Sequence, residues 1–403
     1  MSPPLAPPPA SVGLTVLIGV LIALTAVIFD STLPITPEIA RQLGGEAAAA
    51  QFTLTTYFAG IALGQLVWGP LSDRIGRRPA LLAGLVLALA SSAACALSGN
   101  LALLAAARLA QGFAASVGPV IGRSVVRDLY SHEQAARLLA RAMIVFGIVP
   151  IAAPLVGSTL LELFGWRAVF GLHAAIAAAL LAVLAARFAE TAPADRRPPP
   201  LSRILHTYAG LLADRRFLYP YLVQLMIQIG IMAWVTHSGF ALIRGAQVSP
   251  GAYALMFAGV MLGQIAGAWA TSRLVMRRGI PAMIRRGARL AFIAGVIMAA
   301  LAAADVSHWA AVVVPTALFL FAASFVLPHT TAAALTPFPQ SAGAASSLMG
   351  AIQFAIGAGV SALLGVLFDG SMRPMIYAMA ASGLAALFFE RTLYRRVAKS
   401  GLS

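Results

Sequence analysis

Gln65-Leu-Val-Trp-Gly-Pro-Leu-Ser-Asp-Arg-Ile-Gly-Arg-Arg-Pro79 is the stretch that decides the fold. An apolar run over 52–68 leads into it, and another over 80–97 leads out. Between them Asp73, Arg74, Arg77 and Arg78 crowd around Gly69, Pro70 and Gly76. A tight charged turn between two apolar runs of spanning length cannot lie in hydrocarbon, where its backbone and side chains would find no water, so it marks a membrane surface. Three arginines on one short turn put that surface on the cytoplasmic side.

The composition agrees. Of 403 residues, 60% are hydrophobic and only 10% charged, with mean hydropathy +0.88. A soluble domain carries about a quarter charged residues. At ~20 apolar residues per spanning helix, the chain has room for about twelve helices and short loops. The formal charge of +15 raises the question of nucleic acid, but placement argues against it. Among the 28 Lys and Arg, only Arg41, Arg108, Arg167, Arg244 and Arg373 lie away from the segments assigned to the cytoplasm. That asymmetry is the signature of a polytopic membrane protein, and no soluble domain is present to offer a basic face. Cys95 is the single cysteine and sits in an apolar run, which excludes disulfides and cysteine-rich metal sites. No GxxxxGK[ST] phosphate loop and no clustered His, Asp and Glu occur, so neither ATP nor a metal is expected.

Apolar runs fall at roughly 13–39, 51–71, 79–98, 101–122, 139–161, 167–189, 217–243, 251–272, 287–304, 309–330, 341–367 and 374–392. Alternation puts the charge-rich segments 74–78, 123–141, 187–216, 273–289 and the tail from Arg391 on one side, with both termini cytoplasmic. The expected organisation is a cytoplasmic tail over 1–12, a six-helix bundle over 13–189, a linker over 190–216, a second bundle over 217–393 and a tail over 394–403. The N-terminal tail has no basic residue ahead of the first apolar run and does not read as a cleavable signal. In the linker, Pro198, Pro199 and Pro200 stiffen the chain. After them Leu201, Ile204, Leu205, Tyr208, Leu211 and Leu212 recur at helical spacing, which predicts a short interfacial amphipathic helix. The two bundles repeat: adding 199 carries Gly64, Gln65, Arg74 and Arg78 onto Gly263, Gln264, Arg273 and Arg277. The acid is lost in the second copy, where Ser272 stands opposite Asp73. Internal repeats of this kind are a common way to build a transporter.

Asp30 is the only carboxylate well inside any predicted span. Burying its charge there costs at least ~2.5 kcal/mol on insertion scales, so it should face a cavity and carry function. Counting from the outer end near Glu38, it lies about 8 residues deep, or roughly 12 Å. An acid at that depth suits loading and releasing a proton. The plainer reading is a carboxylate at a kink, since Pro34 and Pro37 follow. Arg108 lies about 7 residues, or roughly 10 Å, inside the fourth span, at the depth of Asp30. Tyr57 and His237 fall near the same depth. Gln224, Gln228, Trp234 and Thr236 could line one wall and Gln353 another, although lone polar residues in bundles often serve as interhelical glue. His173 and His329 read as structural, and Met226, Met232, Met256 and Met261 as packing.

The loop GPLSDRIGRRP resembles the loop between helices 2 and 3 of the major facilitator superfamily, G-x-x-x-D-R-x-G-R-R, at every named position. With QFTLTTYFAGIALGQLVW before it, and RLAQG, VVRDLY, a two-proline fifth helix and GWRAVF after it, the first half resembles one branch of that superfamily. This is the Bcr/CflA branch of twelve-helix drug:H⁺ antiporters, which includes bicyclomycin and chloramphenicol/florfenicol exporters. The branch often carries D-x-Y-L-P on helix 1; here Asp30-Ser-Thr-Leu-Pro34 keeps the acid and the proline but has Thr32 in place of the tyrosine. The second half matches generically. The resemblance implies an all-α fold of two pseudo-symmetric six-helix bundles. It implies that Arg108, in Arg108-Leu-Ala-Gln-Gly112, handles protons with Asp30, either paired with it or tuning it. It implies that Pro150, Pro154 and Gly157 form the helix 5 antiporter element, a bend and packing seam. It also implies that Gly69, Asp73, Arg74, Gly76, Arg77 and Arg78 act as a conformational gate, in which Asp73 meets helix 11 and Arg77 meets Asp128.

The expected function is therefore proton-coupled multidrug efflux by alternating access in the bacterial inner membrane, without catalysis. Protons are the coupling ion and no cofactor is needed; the partners are a small amphiphilic drug or metabolite, membrane lipid and no nucleic acid, and the protein is expected to be monomeric. A sugar or amino-acid exporter, or less readily a proton-coupled importer, would share the fold. A membrane enzyme or receptor would need a catalytic cluster or a signalling domain, and the sequence has neither.

Overall fold

The computed structural model describes residues 12–44, 47–130, 132–192, 200–306 and 308–395. The tail expected over 1–12 falls outside them except for Val12, and that over 394–403 except for Tyr394 and Arg395; linker residues 193–199 fall outside as well. Among the described residues every regular element is helical. In chain order these are α1 (Val12–Asp30), α2 (Thr36–Gln42), α3 (Ala47–Ile75), α4 (Arg77–Leu97), α5 (Leu101–Ala115), α6 (Val117–Leu129), α7 (His132–Phe164) and α8 (Trp166–Arg187). There follow α9 (Leu201–Ala213), α10 (Arg215–Gly239), α11 (Pro250–Arg278), α12 (Ile280–Ala303), α13 (Ala310–Leu335), α14 (Ala342–Val366) and α15 (Arg373–Phe389). Short π-helical turns extend α10 over Phe240–Gly245 and α15 over Glu390–Tyr394.

Nine helical segments among the described residues are long and apolar enough to cross a membrane, beginning with 77–97, 101–129, 147–164 and 166–187. The first expected span, 13–39, is not one helix. α1 stops at Asp30, residues 31–35 turn, and α2 starts at Thr36. Pro34 supplies no N–H and disfavours helical backbone at Leu33, so the ladder breaks there. A depth counted along a continuous helix from Glu38 to Asp30 therefore does not hold. The fourth expected span, 101–122, is likewise two helices, α5 and α6, which part at Ser116; the remaining apolar runs and helices coincide to within several residues. α7 passes through both Pro150 and Pro154 without interruption.

Side-chain caps close several helix starts. Asn100 accepts from the Leu103 N–H at 2.9 Å at α5, Asp214 from Arg216 N–H at 2.8 Å at α10, and Ser249 from Ala252 N–H at 3.2 Å at α11. Such caps satisfy donors that a helix cannot satisfy internally.

The chain forms two compact units. The first comprises residues 1–32 and 56–198, the second 33–55 and 199–403. In the first, α1 packs on α6 and α7, and α4 packs between α5 and α8. Its helices meet through small side chains, with Ala88, Ala114 and Ala177 forming one buried cluster, which lets helix backbones approach without help from a hydrophobic driving force. In the second, α13 packs against α11 and α12, while α10 contacts α13, α14 and α15. The turn and helix over 33–42 and the first residues of α3 belong to this second unit. There Gln51 donates to the Thr236 carbonyl at 2.7 Å, and Arg244 to the Pro37 carbonyl at 3.0 Å. α9 is the amphipathic helix expected after the prolines. Leu211 and Tyr208 pack with Phe217, Tyr221 and Leu348, while Leu205 stays exposed.

Candidate functional site

Asp30 is the last residue of α1 and is 7% exposed. The residues around it are each held by a different helix of the first unit. Phe29 lies against the rings of Tyr57 (5.9 Å) and Phe58 (4.5 Å), both on α3. Tyr57 also donates its hydroxyl to the Thr25 carbonyl of α1 at 2.8 Å. The Ser31 hydroxyl donates to the Val27 carbonyl and lies 2.7 Å from Nε2 of His173 on α8. The Thr32 hydroxyl donates to the Phe29 carbonyl at 2.6 Å and accepts a longer bond, 3.4 Å, from Arg108 on α5. Finally, α7 presses its backbone onto the break, since a Cβ at Gly157 would collide with the Ser31 carbonyl oxygen. Only glycine permits that approach.

Arg108 is buried, and of the two expected arrangements, pairing with Asp30 or acting on it without a bond, its contacts are not those of the pair. Nη1 donates to Oε1 of Gln111 at 2.7 Å, and the guanidinium lies 4.1 Å from the centroid of the Tyr57 ring. A cation over an aromatic face recovers part of its lost hydration. Among the described residues no ion pair joins Arg108 to Asp30. The two groups meet through α1: Arg108 touches Thr32, and Asp30 is two residues away.

The charged loop is the second focus of the first unit. Gly76 turns the chain with φ 96° and ψ 160°, a conformation that side chains beyond glycine adopt at a cost of about 1–3 kcal/mol. Arg77 then folds inward and is fully buried. Its guanidinium pairs with Asp73 at 2.7 Å and with Asp128 of α6 at 2.9 Å, and donates to the Ser72 hydroxyl at 2.6 Å. Arg78 donates to the Ala185 carbonyl of α8, whereas Arg74 is exposed. The sequence reading did not find Glu190. Its carboxylate accepts from the backbone N–H of Arg77 at 2.8 Å and of Arg78 at 3.1 Å, capping α4, and also from Thr191 and Ala192. Partial burial pushes this carboxyl up, but the four backbone donors outweigh it and hold it below the usual glutamate range. Gly69 lies nearest Val120, 3.8 Å from where its Cβ would be.

The remaining candidates lie in the second unit. Gln224, Gln228, Trp234, Thr236 and His237 are buried on α10, and Gln353 is half-buried on α14. Gln224 accepts from Thr330 and Thr331 of α13, and Thr236 bonds its own helix at Met232. The His237 ring sits edge-on to Phe368 at 5.0 Å. Among the described residues, neither ring nitrogen of His237 nor the indole N–H of Trp234 has a hydrogen-bond partner.

Sequence reasoning put Asp30, Tyr57, Arg108 and His237 near one depth; Tyr57 and Arg108 meet at 4.1 Å, Asp30 adjoins them along α1 through Phe29 and Thr32, and His237 lies in the second unit. That reasoning missed Ser31, Ser92, Gln111 and His173, which complete the polar cluster. The glutamine of Arg108-Leu-Ala-Gln-Gly112 was the available signal for Gln111.

Residues 16–362 match the family profile of the Major Facilitator Superfamily. The chain is 32% identical over 356 residues to the uncharacterized MFS-type transporter YdgK of Bacillus subtilis, covering 88% of each chain. It is 27% identical to the bicyclomycin resistance protein homolog of Haemophilus influenzae, covering 95% of this chain and 96% of that one. It is 30% identical to multidrug resistance protein D of Escherichia coli, covering 88% of each. Its fold is similar to the crystal structure of a D-xylose-proton symporter, with TM-score 0.72 at 16% identity over 94% of this chain and 96% of that one. The loop, the buried arginine with its glutamine, and these relatives agree: the chain is a multi-pass membrane transporter rather than an enzyme, and it belongs to the major facilitator superfamily, in its drug:H⁺ antiporter family.

Proposed function

We propose that this protein exports small amphiphilic drugs in exchange for protons, with Asp30 as the coupling acid. The observation that carries the reading is a carboxylate buried at the break of α1, free of any ion pair among the described residues, and flanked by groups that fix the backbone on both sides. An acid so placed can exchange a proton without dismantling a salt bridge. Loading Asp30 from the periplasm expels the bound amphiphile outward; release of that proton to the cytoplasm prepares the carboxylate for the next molecule. Arg108 tunes the acid without pairing to it. The names of the relatives, bicyclomycin resistance and multidrug resistance, support the substrate class.

Twelve spans in two six-helix halves, 13–189 and 217–393, joined by the linker 190–216, put both termini in the cytoplasm of a bacterial inner-membrane monomer. Tyr57, Gln224, Gln228, Trp234, Thr236, His237 and Gln353 contact cargo. The unpaired nitrogens of Trp234 and His237 have hydrogen-bonding capacity to offer it. Gly69, Asp73, Arg74, Gly76, Arg77, Arg78 and Asp128 form the cytoplasmic gate, and Pro150, Pro154 and Gly157 the seam of α7. No cofactor takes part.

The test is a resistance panel of phenicols, bicyclomycin and lipophilic cations in cells expressing wild type or Asp30→Asn, with membrane content measured for both. Wild type raises resistance to at least one compound, and Asp30→Asn abolishes it at equal membrane content. A variant that still pumps against a gradient removes Asp30 from the mechanism. A wild type that protects against none of the panel turns the assignment toward a metabolite exporter.

A further inference from the structure

His173 is a buried titratable group that the transport reading does not use. It is 0% exposed on α8, with a partner at each ring nitrogen. Nε2 lies 2.7 Å from the Ser31 hydroxyl, and Nδ1 lies 3.5 Å from Nε2 of Gln111. The direction of every bond around it can be worked out from donors and acceptors alone. Arg108 can only donate, so Gln111 must turn its carbonyl oxygen to Arg108 and its NH₂ the other way. That NH₂ then donates to the Ser92 hydroxyl at 2.8 Å and faces Nδ1 of His173, which must carry a lone pair. At the other end, the Ser31 hydroxyl already spends its proton on the Val27 carbonyl at 2.7 Å. It can therefore only accept from His173, so Nε2 carries the hydrogen. Both ends demand the same species, a neutral imidazole protonated at Nε2.

We infer that His173 is a positioning residue for Asp30, the last link of a one-way hydrogen-bond chain that runs from Arg108 through Gln111 and His173 to Ser31. The inference rests on Asp30 being the coupling acid only for its importance to transport; the geometry stands without it. The chain explains how Arg108 acts on Asp30 with no bond between them. One arm of Arg108 holds Thr32 directly, and the other holds Ser31 through Gln111 and His173. Gly157 closes the remaining side of the break. The titratable and charged groups gathered there are Tyr57 from α3, Cys95 from α4, Arg108 from α5 and His173 from α8.

The experiment uses the full chain reconstituted in lipid with ¹⁵N-labelled histidine, the His173 signal being identified by its loss in His173→Gln. A neutral, Nε2-protonated signal that does not change between about pH 5 and pH 9 is expected, since both neighbours require that species. A signal that titrates in this range, or that belongs to the Nδ1-protonated form, overturns the chain. Positioning is read separately, from the infrared carboxyl band of Asp30, assigned by its loss in Asp30→Asn. Its titration midpoint should move in His173→Ala and in Ser31→Ala, and return in Ser31→Thr. Ser31→Ala removes only one oxygen, so it keeps the test open where His173→Ala does not fold. A midpoint unchanged in Ser31→Ala overturns the positioning role. Neither readout needs transported cargo, so a failure here leaves the drug panel to judge Asp30, and a failure there leaves this chain standing.

Discussion

At Gly76 and again at Gly279 the chain reverses between two long helices by one backbone device, φ 96° and ψ 160° in the first case and φ 73° and ψ 164° in the second. The helices leading in also correspond, since Gly64 lets α3 close on α5 and α6 just as Gly263 lets α11 close on α13. What surrounds the two turns is different. At the first, Arg77 is sealed between two acids, and Glu190 caps the departing helix. At the second, Ser272 stands in place of the acid, and Arg277 and Arg278 are exposed. Arg273 lies over its own Trp269 at 4.1 Å. The acid nearest the place of Glu190, Glu390, is buried but turns to Arg395 at 3.0 Å. The turn and the ionic clamp are thus separate layers: glycine makes the reversal, and among the described residues only the first copy seals a buried arginine between acids beside it.

The sharpest way to break this contrast is at the arginines. Arg77→Ala takes a fully buried guanidinium out from between Asp73 and Asp128 and should cost ~3–5 kcal/mol, seen as a lower melting temperature of the purified protein. Arg277→Ala should stay within about 0.5 kcal/mol, as exposed substitutions do. Equal losses would mean the clamp adds nothing beyond charge at a membrane surface. Next come the glycines. Both Gly76→Ala and Gly279→Ala meet strain of ~1–3 kcal/mol. The first should be worse, because its Cβ would also collide with the Glu190 carboxylate, while the nearest atom at Gly279 is 3.9 Å away.

Glu190→Ala should remove a cap worth ~1 kcal/mol near neutral pH. Its carboxyl is held below the ordinary value of 4.5, so its contribution is complete above that value and is lost as pH falls through the lower folded value. Melting curves of wild type and Glu190→Ala should therefore differ at pH 7 and converge in acid; a gap that persists at low pH would count against the cap. Smallest of all is Ser272→Asp. Restoring the acid without a buried arginine to receive it should change stability by less than about 0.5 kcal/mol.

The sequence made one of these layers easy to read. Apolar runs of spanning length, the glycines and the clustered arginines sit within a few residues of one another, so local pattern suffices to find both turns. Asp30 was legible too, because a charge inside an apolar run is conspicuous anywhere. Its surroundings were not. His173 and Ser31 are 142 residues apart, and Glu190 meets Arg77 across 113. Which faces of α1, α5 and α8 meet depends on helix rotation, and an alanine-rich helix such as α8 has little periodic pattern to fix it. A buried histidine on such a helix reads as packing until its two nitrogens can be followed to their partners. The break after Asp30 was foreshadowed by Pro34, but where a proline stops a helix depends on the packing around it, here on Gly157 and Arg108.

The grip on either side of Asp30 separates two clocks. Phe29, Ser31 and Thr32 are each tied to a neighbouring helix, so shifting this part of α1 means parting several contacts together, a collective event of microseconds to milliseconds. The carboxyl itself is bound to none of those ties, so a proton can reach or leave it without parting them. Arrival or departure of a hydrogen ion at that oxygen therefore runs to its own pace, apart from that of the surrounding backbone.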